Sequence, residues 1–286
     1  MLASVLKGSM SVLPPGVRWT AGTSGTTTAL NKVIWTGSQF VAVGEAGLIL
    51  TSPDGVTWTA RTSGVTNALR SVAQGASELV AVGAGGTVLT SPTGVTWTPR
   101  DAGIGAALNS VARGASQYVV VGAGGLIATS PDGITWTPQT SGFTTGLSGL
   151  AWSGSQFVAV GSSGRILTSP DGVTWTSRAS GALSLSSVTW DGTRFVAVGV
   201  SGLLMTSPDG INWTTQPVGT GQNLTDAASS GSQIVVTGSG GVIFTSPNGV
   251  NWTQRASGVT SDLNGIARSG NSFLAVGAGG VLLTST

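Results

Sequence analysis

Gln39 to Thr59 reads QFVAVGEAGLILTSPDGVTWT, and close copies of this phrase follow one another along the whole chain. Its closing tryptophan recurs as Trp19, Trp58, Trp97, Trp136, Trp175, Trp213 and Trp252, at intervals of 39, 39, 39, 39, 38 and 39 residues. A period near 40 marks a tandem array, so the unit that must fold is the repeat rather than a single domain of 286 residues. The apolar runs inside each unit are too short for helices. They are rich in Val, Ile, Thr and aromatics, and Gly, Ser, Pro and Asp bound them, which is the pattern of strands joined by tight turns.

In the fourth unit this pattern predicts strand A over Leu147 to Trp152, B over Gln156 to Val160, C over Arg165 to Thr168 and D over Val173 to Arg178. Ser169-Pro170-Asp171-Gly172 turns C into D: Pro presets φ, Asp bonds nearby backbone and Gly accepts a left-handed conformation. A four-stranded sheet apolar on both faces is unstable alone, so the units must stack and close into a ring that hides the last edge. The ends of the chain indicate how. Leu282 to Ser285 supplies a strand C with no D after it, whereas Gly16 to Thr20 is a strand D with no unit before it. Placing Thr284-Ser285-Thr286 beside Pro14-Pro15-Gly16 regenerates the TSPDG turn. The expectation is an all-β fold: a seven-bladed β-propeller of four-stranded antiparallel blades over residues 13–286, closed by the N-terminal strand completing the last blade. Residues 1–12 form an arm outside it, either a tag remnant ending at Lys7-Gly8-Ser9 or a docking segment anchored by Leu2, Val5 and Leu6.

Ser52-Pro53-Asp54-Gly55-Val56-Thr57-Trp58 and its copies resemble the Asp-box, the S-x-D-x-G-x-T-W hairpin of sialidases and related propellers, shortened by one residue. The resemblance spans nearly the whole repeat region. It implies a propeller and no single activity, because Asp-boxes occur in hydrolases, lectins, photosystem assembly factors and phage proteins. Asp54, Asp132, Asp171 and Asp209 hold the aspartate, but Thr93 and Asn248 replace it and Pro15 occupies it in the split unit. A turn-stabilising role tolerates those exchanges better than a catalytic one. The sialidase chemistry that the resemblance implies, an arginine triad, a tyrosine nucleophile with a glutamate partner and an acid-base aspartate, has no match in this inventory. Tyr118 is the sole tyrosine and replaces Phe40, Phe157, Phe195 and Phe273 of sister units, while Glu45 and Glu78 are the only glutamates.

Composition narrows the function further. The chain has no histidine and no cysteine, so imidazole base catalysis, thiolate metal sites and disulfides are excluded. No enzyme activity, cofactor or metal is expected. Charged residues make up 8% of the sequence, against about 25% in average soluble proteins. A net charge of +2 is too small and too evenly spread to recruit nucleic acid by counterion release. No apolar stretch approaches the roughly 18 residues of a membrane span, so no membrane insertion is expected. The glycine-rich turns, such as Gly83-Ala84-Gly85-Gly86, carry no lysine, open no helix and recur in every unit, so they read as hairpin turns and not phosphate loops.

Positions that vary while their neighbours stay fixed are the informative ones. The end of strand A reads Trp35, Gln74, Arg113, Trp152, Trp190, Ser229 and Arg268. Tryptophan beside Asp or Arg suits sugar rings, so Trp35, Trp152 and Trp190 with Asp191 and Arg194 are candidate ligand contacts. A variable turn flank is the plainer alternative. The second residue of strand A reads Asn31, Arg70, Asn109, Ser148, Ser186, Thr225 and Asn264. On an innermost strand these predict a polar ring near one mouth of the axial channel, with room for water, an ion or a small ligand. Three residues after the repeat tryptophan come Gly22, Arg61, Arg100, Gln139, Arg178, Gln216 and Arg255, expected to bond backbone carbonyls between blades.

These features predict a non-catalytic binding or structural propeller. Repeats of the FVAVG…TSPDGVTWT type resemble those of bacterial and phage surface proteins, and the first expectation that this resemblance implies is a phage virion protein for decoration, tail or host contact, found in the virion or outside the cell and made without a recognisable signal peptide. Its partners are then other virion proteins or cell-surface glycans. A bacterial glycan-binding lectin is the second expectation, and an assembly factor the third.

Overall fold

The computed structural model describes residues 14–178 and 181–285, so the arm residues Leu2, Val5 and Leu6 lie outside the described residues. The described chain forms seven four-stranded sheets, each an up-and-down meander in strand order A-B-C-D. The seventh combines Leu263–Ser269, Ser272–Gly277 and Leu282–Ser285 with the N-terminal strand Trp19–Ala21, whose Trp19 and Ala21 pair with Ser285 and Leu283. This is the seven-bladed propeller, and the chain's first described strand closes it.

Strands A of successive blades pack side by side around the axis. Strand B is the most buried element: FVAVG at Phe40–Gly44, Phe157–Gly161 and Phe195–Gly199 is buried at every residue. No single centre forms the core. It is divided into seven layers between adjacent blades, such as Val41, Val43 and Ile49 of the first blade against Leu69, Leu79, Leu89 and Trp97 of the second. The layer between last and first blades, Leu274, Val276 and Leu282 on Leu30, Val33 and Phe40, is built in the same way.

Two details depart from the predicted strands. In the fourth blade B and C occupy Phe157–Gly161 and Ile166–Ser169, and D shrinks to Thr176–Ser177. Strand D is short because the turn before it keeps its own hydrogen bonds. Asp171 Oδ1 accepts the N–H groups of Val173 and Thr174 at 2.8 and 2.9 Å, and Ser169 Oγ accepts that of Gly172 at 2.8 Å. Gly172 itself has φ +82°, open to residues without a Cβ. The repeat tryptophan then locks the turn: in all seven copies its indole N–H donates to the carbonyl of the glycine three residues earlier.

The residues three after that tryptophan do not bond carbonyls between blades. Arg61, Arg100, Arg178 and Arg255 donate through Nε, and Gln139 and Gln216 through Nε2, to a threonine hydroxyl ten residues earlier on strand C of the same blade. Strands C and D are direct neighbours, so the side chain meets the TS threonine before it can reach another blade.

Candidate functional site

Every strand A carries a β-bulge at its second residue, seen as a register shift between Leu30 and Lys32 and at the six equivalent places. A bulge re-aims the extra side chain. Here it turns the predicted polar ring sideways. Asn31 Nδ2 donates to the carbonyl of Leu69 at 2.9 Å, Asn109 Nδ2 to that of Leu147 at 2.7 Å and Asn264 Nδ2 to that of Leu30 at 2.9 Å. Thr225 Oγ1 does the same to Leu263, while Arg70 Nη1 donates to Asn109 Oδ1 at 2.6 Å. At the bulge end of strand A, five of the seven side chains, those of Asn31, Arg70, Asn109, Thr225 and Asn264, thus tie their blade to the next.

The tryptophan end is arranged differently. Trp35, Trp152 and Trp190 are half-buried and stand opposite Phe40, Phe157 and Phe195 on strand B, with ring centroids 4.7, 4.5 and 4.6 Å apart. Each phenyl ring in turn lies 6.3 to 6.5 Å from its blade's repeat tryptophan. These tryptophans therefore cover a phenylalanine ring while staying partly exposed. In the third blade Arg113 takes the same place over Tyr118, 4.8 Å from the ring centroid. Burial pushes the Tyr118 phenol above its usual range.

Asp191 and Arg194 are occupied by the fold. Asp191 Oδ1 accepts the N–H groups of Thr193 and Arg194, each at 2.7 Å, and Arg194 Nε lies 3.2 Å from Asp191 Oδ2. Arg194 also donates through Nη1 to the carbonyl of Asn248 in the next blade. Gln39, Gln117 and Gln156 make the same inter-blade staple to Thr93, Asp171 and Asp209. All three tryptophans pack on the layer between two blades, Trp152 and Trp190 also line one cavity at the channel, and Asp191 and Arg194 are held in turn and staple.

Trp152 and Trp190 open into an axial cavity of about 330 Å³, lined also by Arg113, Lys32, Asp226 and small residues such as Ala112 and Thr189. Lys32 and Asp226 occupy the third position of strand A, where sister blades hold Ser71, Ser110, Gly149, Ser187 and Gly265. Asp226 is buried and joins four blades: it accepts from Ser187 Oγ at 2.9 Å, from the Ile266 N–H at 3.0 Å and from Lys32 Nζ at 2.6 Å. The lysine spans the intervening blade because that blade has Gly265. A Cβ there would lie 2.9 Å from Lys32 Cα. In the sequence the pair is marked only by two opposite charges at one repeat position in a chain with few charges.

The remaining acids are accounted for locally. Hydrogen bonds from backbone N–H groups hold the carboxyls of Asp54, Asp132, Asp171 and Asp209 below the ordinary aspartate range. Asp101 accepts from Gly103, Asp262 from Gly240 and Glu45 from Asn31. Glu78 differs, since its buried Oε2 has no partner. Among the described residues no group of three or more acids gathers closely enough to hold a metal ion. Larger cavities, about 630 Å³, lie in the notches lined by Gly22–Thr27 with Gly279–Val281 and by Ala46–Leu48 with Arg61–Asn67. These are the same place in two blade pairs, so they follow from stacking repeats.

No family model matches the sequence, and no curated protein matches it. Among solved structures it is similar to YCF48 bound to a D1 peptide, with 20% identity, a TM-score of 0.77, and coverage of 97% of this chain and 98% of that one. YCF48 from Cyanidioschyzon merolae is similar at 20% identity and TM-score 0.75, over 93% and 98% of the two chains. Virginiamycin B lyase from Staphylococcus aureus matches at 10% identity and TM-score 0.85, over 94% and 99%. At such identities the likeness shows the fold alone, and the set contains both a lyase and YCF48.

Proposed function

We propose that this chain is a non-catalytic recognition module of a virion or cell surface, a host-contact or decoration protein that meets its partner with the tryptophan-end mouth of the propeller. One observation carries the reading. The variable side chains Arg113, Trp152 and Trp190 gather around one cavity, whereas the residues that repeat from blade to blade are spent on turns and staples. The assignment to recognition rather than bond chemistry is supported by the sequence lacking histidine and cysteine and by nine of its ten acids having structural partners, Glu78 being the exception.

Mass spectrometry of purified particles from the source, together with binding of the purified chain to host cells, tests this reading. The expected result is a particle-associated chain whose binding to cells is lost when Trp152 and Trp190 are both changed to Ser. Absence from particles combined with failure to bind cells would refute it. A protein-binding assembly role is the second reading. It is favoured by the similarity to YCF48, seen there with a bound peptide, and it would show as capture of an unfolded partner segment by the same mouth.

A further inference from the structure

The geometry points to a carboxylated sugar ring, such as a hexuronic acid unit of an acidic polysaccharide, as the ligand of the axial cavity. This rests on the recognition reading above and specifies its ligand. Two cations, Lys32 and Arg113, line the cavity against one carboxylate, that of Asp226. Asp226 already accepts three hydrogen bonds and is 2% exposed, so it has little capacity left for a cationic ligand. Lys32 is 28% exposed and its ammonium uses one N–H on Asp226, which leaves donors for an acceptor in the lumen. Arg113 reaches outward from strand A over the Tyr118 ring, with one long bond of 3.4 Å to the Pro131 carbonyl of the C–D turn, so its guanidinium stands at the rim of the mouth with N–H groups to spare. A planar, weakly hydrated guanidinium with free N–H groups matches a carboxylate.

The aromatic wall selects the rest of the ligand. Trp152 and Trp190 come from adjacent blades, and each is backed by a phenyl ring that fixes its plane. Rigid indoles beside hydrogen-bond donors suit the C–H face of a pyranose. A volume of about 330 Å³ is at the small end of ligand pockets, so one or two rings enter and the rest of a polymer stays outside. A nucleotide is disfavoured: the two cations face no glycine-rich anion loop, and the glycine turns lie at the opposite, bulge end of strand A.

The test uses the full chain, titrated calorimetrically with oligomers of glucuronate, galacturonate and mannuronate and with their neutral counterparts. At least one acidic oligomer is expected to bind about tenfold tighter than its neutral form at low salt, with the advantage shrinking as salt rises. Arg113→Gln should cut that advantage to about threefold or less, the remainder being that of Lys32. Trp190→Ser should weaken the acidic and neutral forms alike by about fivefold. Melting temperatures near that of the parent establish that both variants remain folded. The proposal is overturned if no acidic oligomer binds at millimolar concentration, if the neutral forms bind as tightly, or if Arg113→Gln keeps the full preference. Particle association and cell binding retained alongside such a failure would leave the recognition reading standing and reject only the acidic sugar.

Discussion

At the scale of single residues, the staple position before strand B shows how a repeat tolerates a mistake. Gln39, Gln117, Gln156 and Arg194 each donate to a turn carbonyl 53 or 54 residues later. Glu78 stands at the same place in the second blade, where the equivalent carbonyl belongs to Asp132. A carboxylate cannot donate to it, and Oε2 is buried without a partner. Glu78→Gln should therefore restore the staple and stabilise the protein by about 1 kcal/mol, read as a higher urea midpoint at unchanged slope. A lower midpoint would contradict the equivalence.

The turn aspartates give a pH prediction at the same scale. Asp132, Asp171 and Asp209 have folded-state pKa values below that of an unfolded aspartate near about 3.9. Their contribution is complete above that value and is lost as pH falls through the depressed folded values, so stability should hold from neutrality to about pH 4 and fall below it. Asn248 shows that an amide makes the same bonds, accepting from Val250 and Asn251 at 3.0 and 2.9 Å. Asp171→Asn should thus keep the fold and flatten the acid limb of a melting-temperature profile. An unchanged limb would place the acid sensitivity elsewhere.

At the scale of elements, the two kinds of tryptophan differ in degree and not in kind. Trp136 is 8% exposed, packs in the layer between second and third blades, and bonds the Gly133 carbonyl at 3.2 Å. Trp152 is half-buried but stacks on Phe157. Trp136→Ala should cost roughly 3–5 kcal/mol, whereas Trp152→Ala should cost about 1–2 kcal/mol through the uncovered phenylalanine. Chemical denaturation of both variants checks the order, and equal costs would remove the distinction. The strand-A tryptophans look free of structural duty in the sequence because Gln74 and Ser229 replace them. Their cross-strand neighbours there are Leu79 and Ile234, which need no aromatic cover.

At the scale of the whole molecule, ring closure depends on two devices. The strand Trp19–Ala21 fills the edge of the seventh sheet, with Trp19 packed on its layer. Removing residues 1–21 bares that edge and should lower stability by several kcal/mol, at about 25 cal/mol per Å² of apolar surface, with aggregation seen on gel filtration. A truncated chain that stays monomeric with the parent's melting temperature would refute closure by this strand. The second device is the Lys32–Asp226 bridge, which crosses the same junction inside the channel. Lys32→Met should cost about 1–3 kcal/mol, because Asp226 stays buried with one partner fewer.

The sequence alone determined the blade count, the strand order within a blade and the closing strand, because these follow from a period of 39 and from an alternation that local chemistry enforces. It also showed which positions vary. What it left open is which of those side chains are free. Asn31, Asp191 and Arg194 read as candidate contacts, but whether a donor is spent depends on what the next blade presents to it, and a bulge invisible in the sequence turned Asn31 toward the Leu69 carbonyl. Lys32 and Asp226 lie 194 residues apart and meet only because the ring closes and Gly265 leaves a path between them. The gathering of Arg113, Trp152 and Trp190 at one mouth has the same origin: periodicity sets each residue's place within its blade, whereas the closed ring of seven blades decides which of them share a cavity.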